Sequence, residues 1–182
     1  MSVVVKPTPE QLAAAVARRL PDVIAPRLDV LFCGINPGVY SAAIGHHFGR
    51  PGNRFWLALH AGGFTARVLA PSEDHTLPRF GLGLTNLCPR TTARAEELTS
   101  QELRHGARRL ARKVRRLAPR VVAFLGLSAY RTAFERPQAE KGLQTEVLGS
   151  ARLYVLPNPS GLNAHYQLAD LGRLFAALRS IL

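Results

Sequence analysis

Two short loops hold the residues best suited to chemistry. Gly34-Ile-Asn-Pro-Gly38 follows one apolar run, and Pro157-Asn-Pro-Ser-Gly-Leu-Asn163 follows another. Each sets an Asn beside a Pro with Gly close by. Proline stiffens such a loop, glycine lets main-chain N–H groups approach a ligand, and the Asn amide both donates and accepts. Asn36 and Asn158 are therefore candidates to orient a polar substrate or a water. An amide is no general base at neutral pH, so its contribution is positioning. Asn-Pro-Gly is also ordinary turn chemistry, and spacing alone leaves a pair of tight turns as an equal reading.

The usual catalytic signatures are missing. Gly126-Leu-Ser-Ala-Tyr130 opens like a nucleophile elbow but lacks the closing Gly. There is no GxxxxGK[ST], and Gly81-Leu-Gly83 lacks a third Gly at the dinucleotide spacing. His46 and His47 are adjacent, His60, His75, His105 and His165 show no zinc-ligand spacing, and Cys33 and Cys88 cannot supply a four-thiolate site. No metal and no cofactor are expected. So few cysteines suit a reducing, cytoplasmic compartment. Met1–Leu12 lacks the pattern of a secretion signal. No run approaches the ~20 apolar residues of a membrane span, so no membrane partner is expected.

The elements that must hold these loops alternate. After an extended, Pro-punctuated start, Thr8-Pro-Glu-Gln11 is helix-start chemistry, with an N-cap Thr and a Gln three residues on, leading into a helix through Leu20. Asp29–Cys33 reads as a buried strand, Asn53–His60 as a helix, and Gly81–Leu87 as a strand weakened by its glycines. Leu103, Ala107, Leu110, Val114 and Leu117 recur at helical spacing from about Ser100, and Pro119 closes that helix. Arg120–Leu125 is a strand, Ser128–Phe134 a helix and Leu153–Leu156 a strand. Gln167–Leu182 is a last helix with Leu168, Leu171, Leu174, Phe175 and Leu178 inward. Such alternation predicts an α/β fold with a mostly parallel sheet covered on both faces. The length of 182 residues suits one domain over residues 1–182, with residues 1–25 as a peripheral extension. In open parallel sheets ligands gather at the carboxyl ends of strands, where both Asn-Pro loops fall.

The formal charge is +12, and all but three of the 24 basic residues are Arg. That balance points to an anionic partner, nucleic acid first. The charge does not locate a site. Eight basic residues crowd Arg104–Arg120 without an acid, mostly off the apolar stripe of their helix, and read as a solvated face. Near the loops stand only His46, His47, Arg50 and Arg54, with no Lys or Arg in 157–172.

At this point the residues carry a resemblance. Cys33-Gly-Ile-Asn-Pro-Gly38, Ser41-Ala42, Phe48, Asn53-Arg-Phe-Trp56 and Leu156-Pro-Asn-Pro-Ser-Gly-Leu162 occur in the same order as in the mismatch-specific uracil-DNA glycosylases, relatives of the thymine-DNA glycosylases. The resemblance runs from about residue 28 to 178. It implies a three-layer α/β/α sandwich working as a monomer, without metal or cofactor, on double-stranded DNA carrying a G·U or related mismatch.

By the same resemblance Asn36 orients the attacking water. Asn158 stands where other branches of the family carry a catalytic His; it can donate a hydrogen bond but supplies no proton, so slow turnover is expected. Phe48 stacks on the extruded base, and Gly34, Ile35, Pro37, Gly38 and Ser41 line its pocket. Gly38 replaces a Tyr that elsewhere excludes the thymine methyl, which implies room for 5-substituted pyrimidines. Leu162 is the wedge that enters the base stack, carried by Pro159, Ser160, Gly161 and Asn163, and Arg54, His165 and Tyr166 are candidates for DNA contact. Asn163-Ala164 departs from the Ser-Arg common in relatives. Thr91–Ala95 borders the pocket but has no carboxylate at Ala93, and Glu96 and Glu97 are assigned to the structure that follows. A small-molecule nucleoside N-glycosidase and a non-catalytic DNA-binding module are the competing readings.

Overall fold

Val30–Gly34 (β1) is buried along its whole length, as a strand with helices on both faces must be. The computed structural model describes residues 6–182, so the first five residues of the extended start lie outside the described residues. The other strands are Leu82–Asn86 (β2), Val121–Leu125 (β3), Gly142–Leu148 (β4) and Ala151–Leu156 (β5). They form one sheet in the order β2-β1-β3-β5-β4, parallel except for β4, which pairs antiparallel with β5. The helices are Pro9–Ala15 (α1), Val39–Ile44 (α2), Phe55–Ala61 (α3), Ser100–Leu117 (α4), Leu127–Ala133 (α5) and Leu168–Arg179 (α6).

Strand alternation sorts the apolar residues into two cores. Phe32 and Ala123 pack with Phe55 and Leu59 of α3 and Phe175 of α6. Leu31, Cys33 and Phe124 pack with Leu110 and Val114 of α4 and Tyr130 of α5. The result is the α/β/α layering expected, with the carboxyl ends of the parallel strands on one edge.

Several boundaries differ from the sequence reading. The first helix stops at Ala15, with Val16 as its C-cap, rather than running through Leu20. Its Thr8–Gln11 capping box is present. Leu168 is exposed rather than inward. β4 was absent from the reading: it is an edge strand that buries one face only, so its residues alternate between half-buried and exposed and give no continuous apolar run. A 3₁₀ segment over Pro71–Phe80 also carries no helical periodicity. The glycines that weakened β2 have a reason. A Cβ on Gly83 would stand 2.8 Å from the carbonyl oxygen of Val23, and Val23 pairs with Leu84 to cover the sheet's outer edge.

Lys113 departs from the solvated basic face. It turns inward to Asp22 and donates to Thr85 Oγ1 at 2.6 Å, while Thr85 donates to Asp22 Oδ1 at 2.7 Å. This network ties the segment before β1 to β2 and α4.

Candidate active site

The carboxyl ends of β1, β2, β3 and β5 open onto a cleft of ≈ 900 Å³. Asn36 and Asn158 both line it, together with Gly34, Ile35, Pro37, Gly38, Ser41, Phe48, Ser160, Leu162, Asn163, His165 and Tyr166. Loops more than a hundred residues apart in sequence thus face one space. Pro159, Gly161 and Arg54 stand outside its lining.

The first loop is zipped to the strand exit beside it. Leu87 N donates to Gly34 O, Cys88 N to Ile35 O and Thr92 N to Pro37 O, at 2.8–3.1 Å. Within this frame the Asn36 Nδ2 group donates to Arg90 O at 2.8 Å, to Thr92 Oγ1 at 2.7 Å and, more weakly, to Pro37 O at 3.3 Å. Thr92 Oγ1 in turn donates to Arg94 O at 2.7 Å. Carbonyl acceptors around the NH₂ decide which way the amide faces. Oδ1 has no hydrogen-bond partner among the described residues, and Asn36 lines the cleft. The arrangement can hold a water by its proton without removing it.

Gly34 is a glycine because the floor is crowded: a Cβ there would lie 2.6 Å from Asn86 Oδ1 and 3.5 Å from the Phe48 ring. A Cβ at Gly38 would meet nothing within 4 Å. The φ of −76° at Gly38 suits any residue, so the space above it is open by composition and not by backbone need.

Phe48 sits at φ 52°, a left-handed conformation that costs a bulky residue about 1–3 kcal/mol. Its neighbours hold it there. Asp74 Oδ2 accepts from His47 N at 3.0 Å, Trp56 Nε1 donates to His47 O at 3.2 Å, and Ser41 Oγ accepts from Gly49 N at 3.0 Å. The Phe48 ring stacks on Phe55, centroids 4.1 Å apart, and also borders the cleft. His47 itself is buried and held by Pro21 O at 2.8 Å. Burial pushes its pKa below the ordinary value, only partly opposed by that hydrogen bond.

The second loop closes on itself. Asn158 Oδ1 accepts from Ser160 N at 3.0 Å, Ser160 Oγ from Leu162 N at 3.3 Å, and Asn163 Nδ2 donates to Asn158 O at 3.0 Å. Asn158 Nδ2 remains available as a donor. The loop tip lifts Leu162 to 67% exposure.

Arg54 overturns its reading as a DNA contact. Its guanidinium donates to Ser160 O and Asn163 O, each at 2.7 Å, and to Tyr166 O, while its main-chain N–H donates to Pro159 O at 3.0 Å. It is a brace pinning the second loop to α3. Gly161 completes the seat, since a Cβ there would strike Gly52 O at 2.6 Å. Asn163 likewise holds the loop rather than facing outward.

The cleft wall carries Arg50, Arg94 and Lys141 against Glu96, a net positive edge. Lys141, just before β4, sits 4.7 Å above the Tyr166 ring and donates to its hydroxyl. Glu97 accepts from Arg94 N at 2.8 Å and belongs to the following structure as expected, whereas Glu96 reaches the cleft. Thr92 lies on the cleft, inside the Thr91–Ala95 segment expected to border it, whereas Asn86, Asp74 and Lys141 were missed. Asn86 had a usable signal, since it ends a parallel strand on the ligand edge. Asp74 and Lys141 had none.

The chain is thus an α/β protein with a cleft at the carboxyl edge of its parallel sheet, lined by side-chain amides and main chain. Residues 21–179 match the Uracil DNA glycosylase superfamily, and the chain belongs to that superfamily. Its general activity is that superfamily's, hydrolysis of the N-glycosidic bond between a base and DNA. The fold is similar to the solution NMR structure of a provisionally named uracil DNA glycosylase from Methanosarcina acetivorans, with TM-score 0.58 and 21% identity over 89% of this chain and 98% of that one.

Proposed function

We propose that this chain extrudes uracil opposite guanine from duplex DNA and hydrolyses its glycosidic bond, leaving an abasic site. The orientation of Asn36 carries the reading: its NH₂ is held by protein acceptors, which leaves Oδ1 of this cleft-lining residue to accept from a water. A water accepted there forms the new bond to the anomeric carbon as the bond to the base nitrogen breaks. The bonding pair leaves with the base, and the water's proton passes to solvent. The Asn36 amide does not remove that proton beforehand, so much of the barrier falls on stabilising charge in the departing base. Asn158 Nδ2 and the main chain of residues 34–38 are the donors placed for it, and Asn86 meets the polar edge of the base stacked on Phe48. With amides at both positions, turnover is slow.

Extruding a base costs about a few kcal/mol and less from a mispair, which favours G·U before any pocket contact is made. Leu162 fills the gap left in the stack. His165, exposed beside the cleft, is the loop residue we assign to the opposite guanine, with Tyr166 held next to it by Lys141. The space above Gly38 supports acceptance of thymine and modified cytosines. We read the working unit as a monomer.

The test is incubation with duplexes carrying U, T or 5-substituted uracils opposite each base, followed by alkaline strand cleavage. Cleavage at U and at larger pyrimidines opposite G is expected. Release from single-stranded and A-paired uracil at the same rate would overturn the mismatch reading, and no abasic product from any duplex would overturn the enzymatic one.

A further inference from the structure

The exposed face of α4 is a strongly charged surface that the cleft does not use. Arg104, Arg108, Arg109, Arg112, Arg115 and Arg116 occupy one side of the helix, opposite Leu103, Leu110, Val114 and Leu117, which are buried against the sheet. None of the six lines the cleft. None forms an ion pair among the described residues, and the acids nearest in sequence or space are engaged elsewhere: Glu102 with Arg90, Asp22 with Lys113, Asp29 with Arg120.

Helix physics alone disfavours this face. Arg104, Arg108, Arg112 and Arg116 follow one another at i,i+4, where like charges destabilise by about 0.2–0.5 kcal/mol per pair. Arg115 and Arg116 suit the helix's negative end, but Arg104 near its start does not. A coding bias towards Arg explains the choice of Arg over Lys, and leaves the absence of acid from the about four turns after Glu102 unexplained. On α6 the same composition yields a mixed face, with Asp170 bridged to Arg173.

We propose that the α4 face is a second nucleic-acid surface, separate from the lesion cleft, that takes the phosphate backbone of duplex DNA without reading sequence. The complementarity is of charge and length. From Arg104 to Arg116 the helix rises about 18 Å at 1.5 Å per residue, a stretch over which a duplex carries about ten phosphates. Guanidinium forks match phosphate oxygens in pairs. A patch of this kind would hold the protein on undamaged DNA between lesions and add to local concentration at the cleft.

The experiment compares wild type with the combined variant Arg108→Gln, Arg112→Gln, Arg115→Gln and Arg116→Gln. Gln keeps helix propensity and relieves like-charge repulsion, so circular dichroism and Tm should be unchanged or improved. Binding to an undamaged 30-base-pair duplex is measured as a function of salt. The slope of log K against log salt should become shallower by about 0.9 per phosphate contact removed, with at least tenfold weaker binding at 100 mM salt. The single-turnover excision rate from a saturated 11-base-pair lesion duplex should stay within twofold. An unchanged slope and affinity would overturn the proposal. So would loss of binding to anionic phosphatidylglycerol vesicles with duplex binding intact, which would assign the face to a membrane. Because undamaged duplex is the ligand, the result stands or fails independently of whether the cleft excises uracil.

Discussion

The Asn36 side-chain amide donates to Thr92 Oγ1 at 2.7 Å, across 56 positions of sequence. The hydroxyl is not a bystander, because its own proton is directed away to Arg94 O. Thr92 can therefore only accept from Asn36, and that sets the amide's orientation. Replacing Thr92 by Val, which keeps the shape and removes the acceptor, should slow single-turnover excision by about 10–10²-fold, the scale of a misplaced reactant. Thr92→Ser should restore most of the rate, and KM should move little in either variant. Equal rates for Thr92→Val and wild type would separate Thr92 from the positioning of Asn36.

Leu162 and Arg54 act on the same loop from opposite sides. Leu162 is 67% exposed, and substitutions at such positions usually leave stability within about 0.5 kcal/mol. Leu162→Ala should keep Tm while lowering excision from duplex far more than from a mispair already opened by a flanking bulge. A small-molecule glycosidase would show no such loss.

Arg54→Met should behave the other way. It leaves three carbonyls of residues 160–166 without their donor, and hydrogen bonds to a charged group contribute about 1.5–3 kcal/mol each. With solvent replacing some of them, a loss of about 2 kcal/mol is expected in urea unfolding, accompanied by faster proteolysis at residues 160–166. Arg54→Lys should recover only part, since one ammonium cannot match the planar fork.

Gly38 and Gly34 separate by what a side chain would meet. Gly38→Tyr has the backbone and the space to fold. It should retain excision of uracil and lose excision of thymine and 5-substituted uracils, read from product ratios on paired substrates. Gly34→Ala drives a methyl into Asn86 Oδ1, and it should depress excision of every base alike.

Stability should fall with acid in a window set by His47. Its folded pKa lies below the unfolded value of 6.5, so the unfolded chain binds the extra proton as pH falls past that value. The contribution is fully present above about pH 6.5 and is lost on descent through the folded pKa. Tm measured from pH 7.5 to 5.5 should decline, and His47→Gln, which keeps a donor for Pro21 O, should flatten that slope. Glu73 and Glu102, held to about 2 by hydrogen bonds from Arg67 and Arg90, add a separate loss below about pH 4.5.

Much of the framework was legible along the chain because it is local. The Thr8 capping box, the amphipathic stripe of α4 and the buried runs of β1, β3 and β5 depend on residues a few positions apart, and each is where the pattern puts it. So are the two Asn-Pro loops, since a parallel strand must end on the ligand edge. The orientation of Asn36, the brace made by Arg54, the cage around Phe48 and the approach of Lys141 to Tyr166 were not legible. Their partners lie up to 112 positions away, and periodicity reports that a residue is buried without saying against what. An Arg beside a functional motif looks the same in sequence whether it meets a phosphate or three carbonyls. Composition and spacing determined which groups could do chemistry here; only packing decided which of them face the cleft and which hold it open.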